Sequence, residues 1–175
     1  MGGSGVESAF QFISYKIDTF KLEVTKDTRS LVFIGIVGPG QVQMSLTIRN
    51  PLRISVDNSY IGGADVQFSL FHSTEQKPET TLATGSVGIS GLFKVLAGQL
   101  AAETENNLVR LQIPAILMPY LRAALSSLLI NAGFLGVMLP LINVHAIVAQ
   151  IGDKLKIEEA TVPQASGGPK VAEAP

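Results

Sequence analysis

At 175 residues the chain is the size of one domain with short extensions, since domains cluster at roughly 100 to 150 residues, and a single core is expected. With 13 basic and 14 acidic residues the net charge is −1, so there is no concentration of Lys or Arg to displace phosphate counterions, and no nucleic-acid partner is expected. Cysteine is absent, which excludes disulfides, thiolate metal sites and cysteine nucleophiles and fits a reducing compartment, so a cytoplasmic location is expected.

Hydrophobic residues make up 46% of the chain and charged residues 15%, against a usual charged share of about 25%. Such an apolar excess is buried between subunits, used to hold something apolar, or placed in a membrane. Residues 1–8 carry neither a basic region nor an apolar core of signal-peptide length, and they read as a flexible leader.

From Phe10 to Thr25 apolar and polar residues alternate, with a shift near Asp18, which predicts a long strand carrying a bulge. Lys26 to Arg29 forms a polar turn. Leu31 to Val37 is an apolar run closed by Gly38-Pro39-Gly40 and reads as a crossover connection. Gln41 to Arg49 places Val42, Met44, Leu46 and Ile48 on one face, and the period resumes at Leu52, Ile54 and Val56, so a second strand kinked at Pro51 is expected.

Asp57-Asn58-Ser59 and Gly62-Gly63 read as turns. Ala64 to His72 is a third strand with Val66, Phe68 and Leu70 inward. A polar hairpin loop over Ser73 to Thr81 leads to a fourth strand, Leu82 to Phe93, bent by Gly85, Gly88 and Gly91. From Pro114 the apolar residues recur at helical spacing as far as Asn131, with Pro119 close to the helix start. A second, shorter helix over Asn143 to Lys156 follows, capped by Asn143.

Strands precede helices, so the fold class is α+β: four antiparallel strands, then a long helix and a shorter C-terminal helix. The domain spans 9–158, and 159–175, rich in Pro, Gly and Ala, is a disordered tail. The strict alternation assigns Val42, Met44, Leu46, Val66 and Phe68 to the core.

Catalytic and metal chemistry find no support. His72 and His145 stand apart, with no His-Glu-x-x-His spacing and no carboxylate cluster beside them. Gly88-Ile89-Ser90-Gly91 lacks the second glycine spacing of a nucleophile elbow, and Gly38-Pro39-Gly40 lacks the Lys-Ser/Thr ending of a phosphate loop. No enzyme activity, cofactor or metal is expected. Ala123 to Gly152 contains no Asp, Glu, Lys or Arg and exceeds the ~20 residues that span a bilayer. Asn131, Gly133, Gly136, Pro140 and Asn143 interrupt it, and no aromatic belt or basic flank accompanies it, so two buried helices are expected instead of a stable membrane insertion.

Pro114-Ala115-Ile116-Leu117-Met118-Pro119-Tyr120-Leu121-Arg122 resembles the signature helix of the SecB family of export chaperones. There a proline is followed by Ile-Leu, Pro-Tyr and Arg at these spacings. Phe134 in a glycine-containing loop, then Leu139-Pro140 and Asn143 followed by Ala146-Ile147, is similar to the family's second stretch. Phe10-Gln11-Phe12 and Gly91-Leu92-Phe93 resemble its first strand and its Gly-Ile-Phe turn. The resemblance covers about Phe10 to Gln150.

It implies a four-stranded antiparallel sheet with a long helix packed across it, in a homotetramer built as a dimer of dimers. It also implies an ATP-independent holdase that keeps unfolded polypeptides competent for export and passes them to the motor ATPase SecA. The client groove it implies here is Phe33, Ile34, Leu92, Phe93, Phe134, Leu135, Met138 and Leu139. From the residues themselves, Phe93, Phe134 and Met138 are open to either a core or a client role. Tyr120 and Arg122 are assigned to packing, Tyr120 on the sheet and Arg122 across a subunit boundary.

Glu23 matches an acidic SecA-contact position, whereas Thr19, Thr84 and Ser86 stand where acidic or apolar contact residues are usual. A SecB-like chaperone serving a non-export partner such as an antitoxin is the alternative. A non-catalytic module for one apolar ligand, which predicts an enclosed cavity and a monomer, is a third reading.

Overall fold

The computed structural model describes residues 8–26, 28, 41–74, 77–96, 100–135, 137, 139, 142–151 and 154–160. The elements in chain order are β1 (Phe10–Val24), β2 (Gln41–Ile48), β3 (Leu52–Ile54), β4 (Ser59–Thr74), β5 (Lys77–Val95), α1 (Ala102–Asn131), α2 (Val144–Ile151) and β6 (Glu158–Glu159). One sheet runs β1-β5-β4-β3-β6, with β2 also paired to β4, and α1 lies against β4 and β5. The crossover expected over Leu31 to Val37 and the tail beyond residue 160 fall outside the described residues.

The α+β class is as expected, but the sheet has six strands where four were expected. One addition comes from Pro51, which has no N–H to donate and splits the second strand in two. Ile48 pairs with Ala64 and Leu52 with Ile61, so both pieces remain on β4. The other is β6, which pairs with β3 and, among the described strands, is the one parallel neighbour. It sits where the domain was expected to give way to the tail.

β4 and β5 are longer than expected. Phe71 pairs with Thr81 and His72 with Thr80, so the expected hairpin loop is largely ladder. Threonine's branched Cβ favours that pleated backbone. Gly62 and Gly63 were expected in a turn and instead lie inside β4. They are needed for close approach: a Cβ on Gly62 would lie 2.2 Å from Ile113 of α1, and one on Gly63 2.4 Å from the Arg49 guanidinium.

Alternation then sorts the sheet into two faces. Val66, Phe68 and Leu70 of β4 and Val87, Ile89 and Phe93 of β5 are buried beneath α1, with Val42, Met44 and Leu46 of β2 packed beside them. The opposite face carries Gln43, Ser45, Gln67, Ser69, Thr84 and Ser86 and is mostly polar.

α1 buries Val109, Ile113, Leu117, Leu121, Leu125 and Leu128, a stripe at the three- and four-residue spacing of a helix face. It begins at Ala102, not at Pro114 as expected. The stripe continues upstream through Ile113 and Val109, and Glu103 and Glu105 in the first turn complement the positive end of the helix dipole. Pro114 and Pro119 are therefore both interior. An interior proline usually costs about 3 kcal/mol or more through the lost hydrogen bond and ring clash. Packing of Ile113, Pro114, Leu117 and Met118, all buried, offsets that cost.

By length and composition α1 could cross a membrane, but half of its most apolar window is buried within the chain. α2 starts where expected, with the Asn143 side-chain oxygen accepting from the Ala146 N–H at 3.0 Å. Its described span runs to Ile151, and Leu155 to Ile157 are not helical, so it does not reach Lys156. Downstream, the Lys156 N–H donates to the Asn50 side chain at 3.1 Å and carries the chain to β6.

Candidate functional site

A chain of aromatic rings joins β1 to α1. Phe93 stacks on Phe10 at 5.4 Å between centroids and meets Phe12 at 5.3 Å. Phe12 then meets Tyr120 at 5.3 Å, and Tyr120 meets Tyr15 at 4.5 Å. Such contacts add about 0.5 to 1.5 kcal/mol each beyond area burial.

Along β1, Tyr15, Ile17 and Phe20 pair with Gly91, Ile89 and Val87 and so share the face of the sheet on which α1 lies. The helix does not cover them, and they stay 45%, 47% and 48% exposed. Ile13, at the first of two bulges, is 51% exposed. β1 therefore carries an apolar row on a strand that, among the described residues, has a sheet neighbour on one side only.

A second apolar feature lies between α1 and the β2 side of the sheet. Met44, Val66, Met118, Leu121 and Leu125, closed by Leu139 and Ile142, line a crevice of about 80 Å³. Its wall includes two methionines, whose unbranched side chains adapt to irregular shapes. Arg122 stands at its rim and donates Nη2–H to the Leu139 carbonyl at 2.9 Å, tying the segment after α1 back to the helix.

The opposite face holds a polar cluster that alternation alone did not reveal. Asp18, the extra residue of the second β1 bulge, lies 2.8 Å from Arg49 Nη2 and accepts from the Ser90 hydroxyl. Arg49 Nε is 3.0 Å from Asp65, and its Nη2 donates to the Ile89 carbonyl at 2.5 Å. Partial burial raises the Asp18 pKa, but the Ser90 hydrogen bond, Arg49 and Lys16 outweigh it and hold the carboxyl below its ordinary value.

Nearby, Lys21 and Glu23 form an exposed ion pair of 2.9 Å, and Lys21 lowers the Glu23 pKa. The pair borders a shallow depression of about 540 Å³ lined by the glutamines, serines and Thr84 of this face. A separate cluster anchors the start of α1. Tyr60, fully buried, donates its hydroxyl to Glu105, and Arg53 lies 3.9 Å from the same carboxylate.

The described ones among the expected groove residues do not share one open surface. Phe33, Ile34 and Met138 lie outside the described residues. Phe93, Phe134 and Leu139 are buried at 0%, 2% and 9% exposure, whereas Leu135 is 69% exposed. Leu92 is half-buried on the face opposite Phe93, as neighbours on a strand must be. It lines a hollow of about 190 Å³ with Ile61, Ser14 and Ser90. Tyr120 packs against Phe12 and Tyr15 of β1, and the Arg122 bond to Leu139 lies within the chain.

The model of the family described as preprotein translocase subunit SecB matches residues 41–154, and the chain belongs to the SecB family. β1 precedes the matched region. Among solved structures the chain is similar to the Rv1957 SecB-like chaperone of Mycobacterium tuberculosis, determined in complex with a ChAD peptide from the Rv1956 HigA1 antitoxin. The TM-score is 0.55 at 11% identity, over 77% of this chain and 91% of that one, which is a likeness of fold. A protein of unknown function from Streptococcus agalactiae gives a TM-score of 0.25 at 10% identity, over 75% of this chain and 97% of that one. No curated protein sequence matches significantly.

Proposed function

We propose that this chain is an ATP-independent holdase that assembles with copies of itself in the cytoplasm and holds non-native polypeptides on apolar surfaces. The observation that carries this reading is the half-exposed row Tyr15, Ile17 and Phe20, beside Tyr120, on a chain of the SecB family. A lone soluble domain gains nothing by leaving three large apolar side chains in line on a strand that no other described strand flanks on its outer side, because such an edge invites pairing. Self-assembly through β1 and α1, up to the tetramer that the family resemblance implies, would cover part of that row.

Client contact falls to surfaces that reward apolar area without demanding one sequence. The methionine-walled crevice under Leu139 and the exposed Leu135 have that chemistry, because flexible side chains repack around different partners. Phe33, Ile34 and Met138 complete the proposed groove. Phe93, Phe134 and Leu139, being buried, support it from beneath unless a client displaces them. The crevice is too small for a whole ligand of drug-like size, which typically needs about 300 to 1,000 Å³, and this disfavours the single-ligand module.

The state of Glu23 favours a non-export partner over SecA. Its charge is already met by Lys21 at 2.9 Å, and hydroxyls and amides surround it. That face offers little field to attract a basic partner surface. A non-export client, such as the antitoxin peptide in complex with which the mycobacterial chaperone was determined, makes no demand on that face. Titration with SecA and with extended apolar peptides, read by calorimetry, separates the two: peptide binding without SecA binding supports the non-export reading, and tight SecA binding that is lost on Glu23→Ala supports export.

A further inference from the structure

We propose that Arg49 is the positioning residue that fixes the register of edge strand β1 on the sheet, acting through the bulge at Asp18. Register is normally set by side chains packing across a strand pair, and it is weakly specified where the partner strand is rich in glycine. That is the situation between β1 and β5. Tyr15, Thr19 and Leu22 are paired with Gly91, Gly88 and Gly85, none of which offers a side chain to lock against. A slip of one residue would send Tyr15, Ile17 and Phe20 to the polar face.

The polar cluster supplies the missing specification. Asp18 is the residue left over between the pairs Ile17↔Ile89 and Thr19↔Gly88. Its carboxylate is held from β5 by the Ser90 hydroxyl and from the end of β2 by Arg49. Arg49 is itself fixed by Asp65 on β4 and by the Ile89 carbonyl. Bare backbone makes room for this cluster, since a Cβ on Gly88 would lie 2.3 Å from Asp65 and one on Gly63 2.4 Å from Arg49. The glycines that weaken the packing register are thus partly the ones that admit its polar replacement. The charged groups facing Asp18 are Arg49 and Lys16, with Asp65 across the guanidinium.

The register claim stands on the cluster alone. Only its consequence, that Arg49 controls the apolar row offered to other chains, rests on the proposed function. The chain has no cysteine, so a Lys21→Cys/Ser86→Cys pair, directly opposed in the native register, reports the register by disulfide formation. In the full-length protein the pair should crosslink readily. In an Arg49→Met or Asp18→Asn background it should crosslink about tenfold less, the scale of losing a charged hydrogen-bond cluster, while the helical circular dichroism signal persists. Equal crosslinking in either folded variant would overturn the proposal. So would unfolding of both variants, because the cluster would then hold the core and not the register. Absence of holdase activity in the parent protein, with crosslinking that falls in the variants as expected, would refute the functional reading and leave the register claim intact.

Discussion

Tyr15 of the edge strand and Tyr120 of the long helix stand with their ring centroids 4.5 Å apart, and through Phe12 and Phe93 they extend a continuous aromatic contact into the core. β1 is thereby tied to α1 by side chains as well as to β5 by backbone.

Tyr120→Ala removes the link to both Phe12 and Tyr15. A loss of about 1 to 3 kcal/mol is expected, two aromatic contacts at roughly 0.5 to 1.5 kcal/mol each. It should concentrate in β1, so hydrogen exchange should quicken there before β4 and β5 respond. Light scattering of the same variant should show a smaller assembly. A full-size oligomer with β1 amides protected as in the parent would count against the arrangement.

Tyr60→Phe deletes the buried hydroxyl that donates to Glu105, and a cost of about 1.5 to 3 kcal/mol in chemical denaturation is expected for a bond to a charged group. The pH dependence follows from burial and Glu105, which push the Tyr60 pKa above its ordinary 10.0. Because the folded value is the higher one, the contribution is fully present below pH 10.0 and is lost as pH rises from there toward the folded value. The parent should therefore lose stability in strong alkali more steeply than the phenylalanine variant. Parallel alkaline curves would refute the assignment.

Asp18→Asn tests the opposite sign. The folded Asp18 pKa lies below its ordinary 3.8, so its contribution is present above pH 3.8 and is lost as pH falls through the folded value. The variant should be less stable by about 1 kcal/mol near neutrality. The gap between the two proteins should close in acid denaturation curves, and a gap that persisted at low pH would show that Asp18 acts by shape and not by charge.

Phe134 and Leu135 are adjacent but should separate fold from client binding. Phe134→Ser should destabilise the chain by about 3 kcal/mol or more, as for loss of a core aromatic. Leu135→Ser should leave the thermal midpoint nearly unchanged while weakening capture of an unfolded client. Unaltered capture would remove Leu135 from the client surface.

The strand faces were legible because alternation is written residue by residue: Val42, Met44, Leu46, Val66 and Phe68 needed only their spacing. The bulge near Asp18 showed as a break in that period. The start of α1 was not legible, because Pro114 reads as a helix beginning and only the tertiary burial of Val109 and Ile113 shows that the helix passes through it. Gly62-Gly63 carries the composition of a turn, and its actual cause, the approach of Ile113 and Arg49, lies far away in sequence. The partnership of Asp18 with Arg49 and Ser90 was hidden for the same reason, since no local pattern announces a contact between residues on β1, on β5 and just past the end of β2. At the expected groove, the family motifs point to Phe134 and Leu139, and only the packed structure shows that both are buried.

The central claim is most directly tested by diluting a chemically unfolded client into buffer without nucleotide and following its aggregation by light scattering, with this protein at near-stoichiometric amounts. The account predicts suppression that weakens with Leu135→Ser. Aggregation that proceeds unchanged while this protein remains folded and soluble would contradict it.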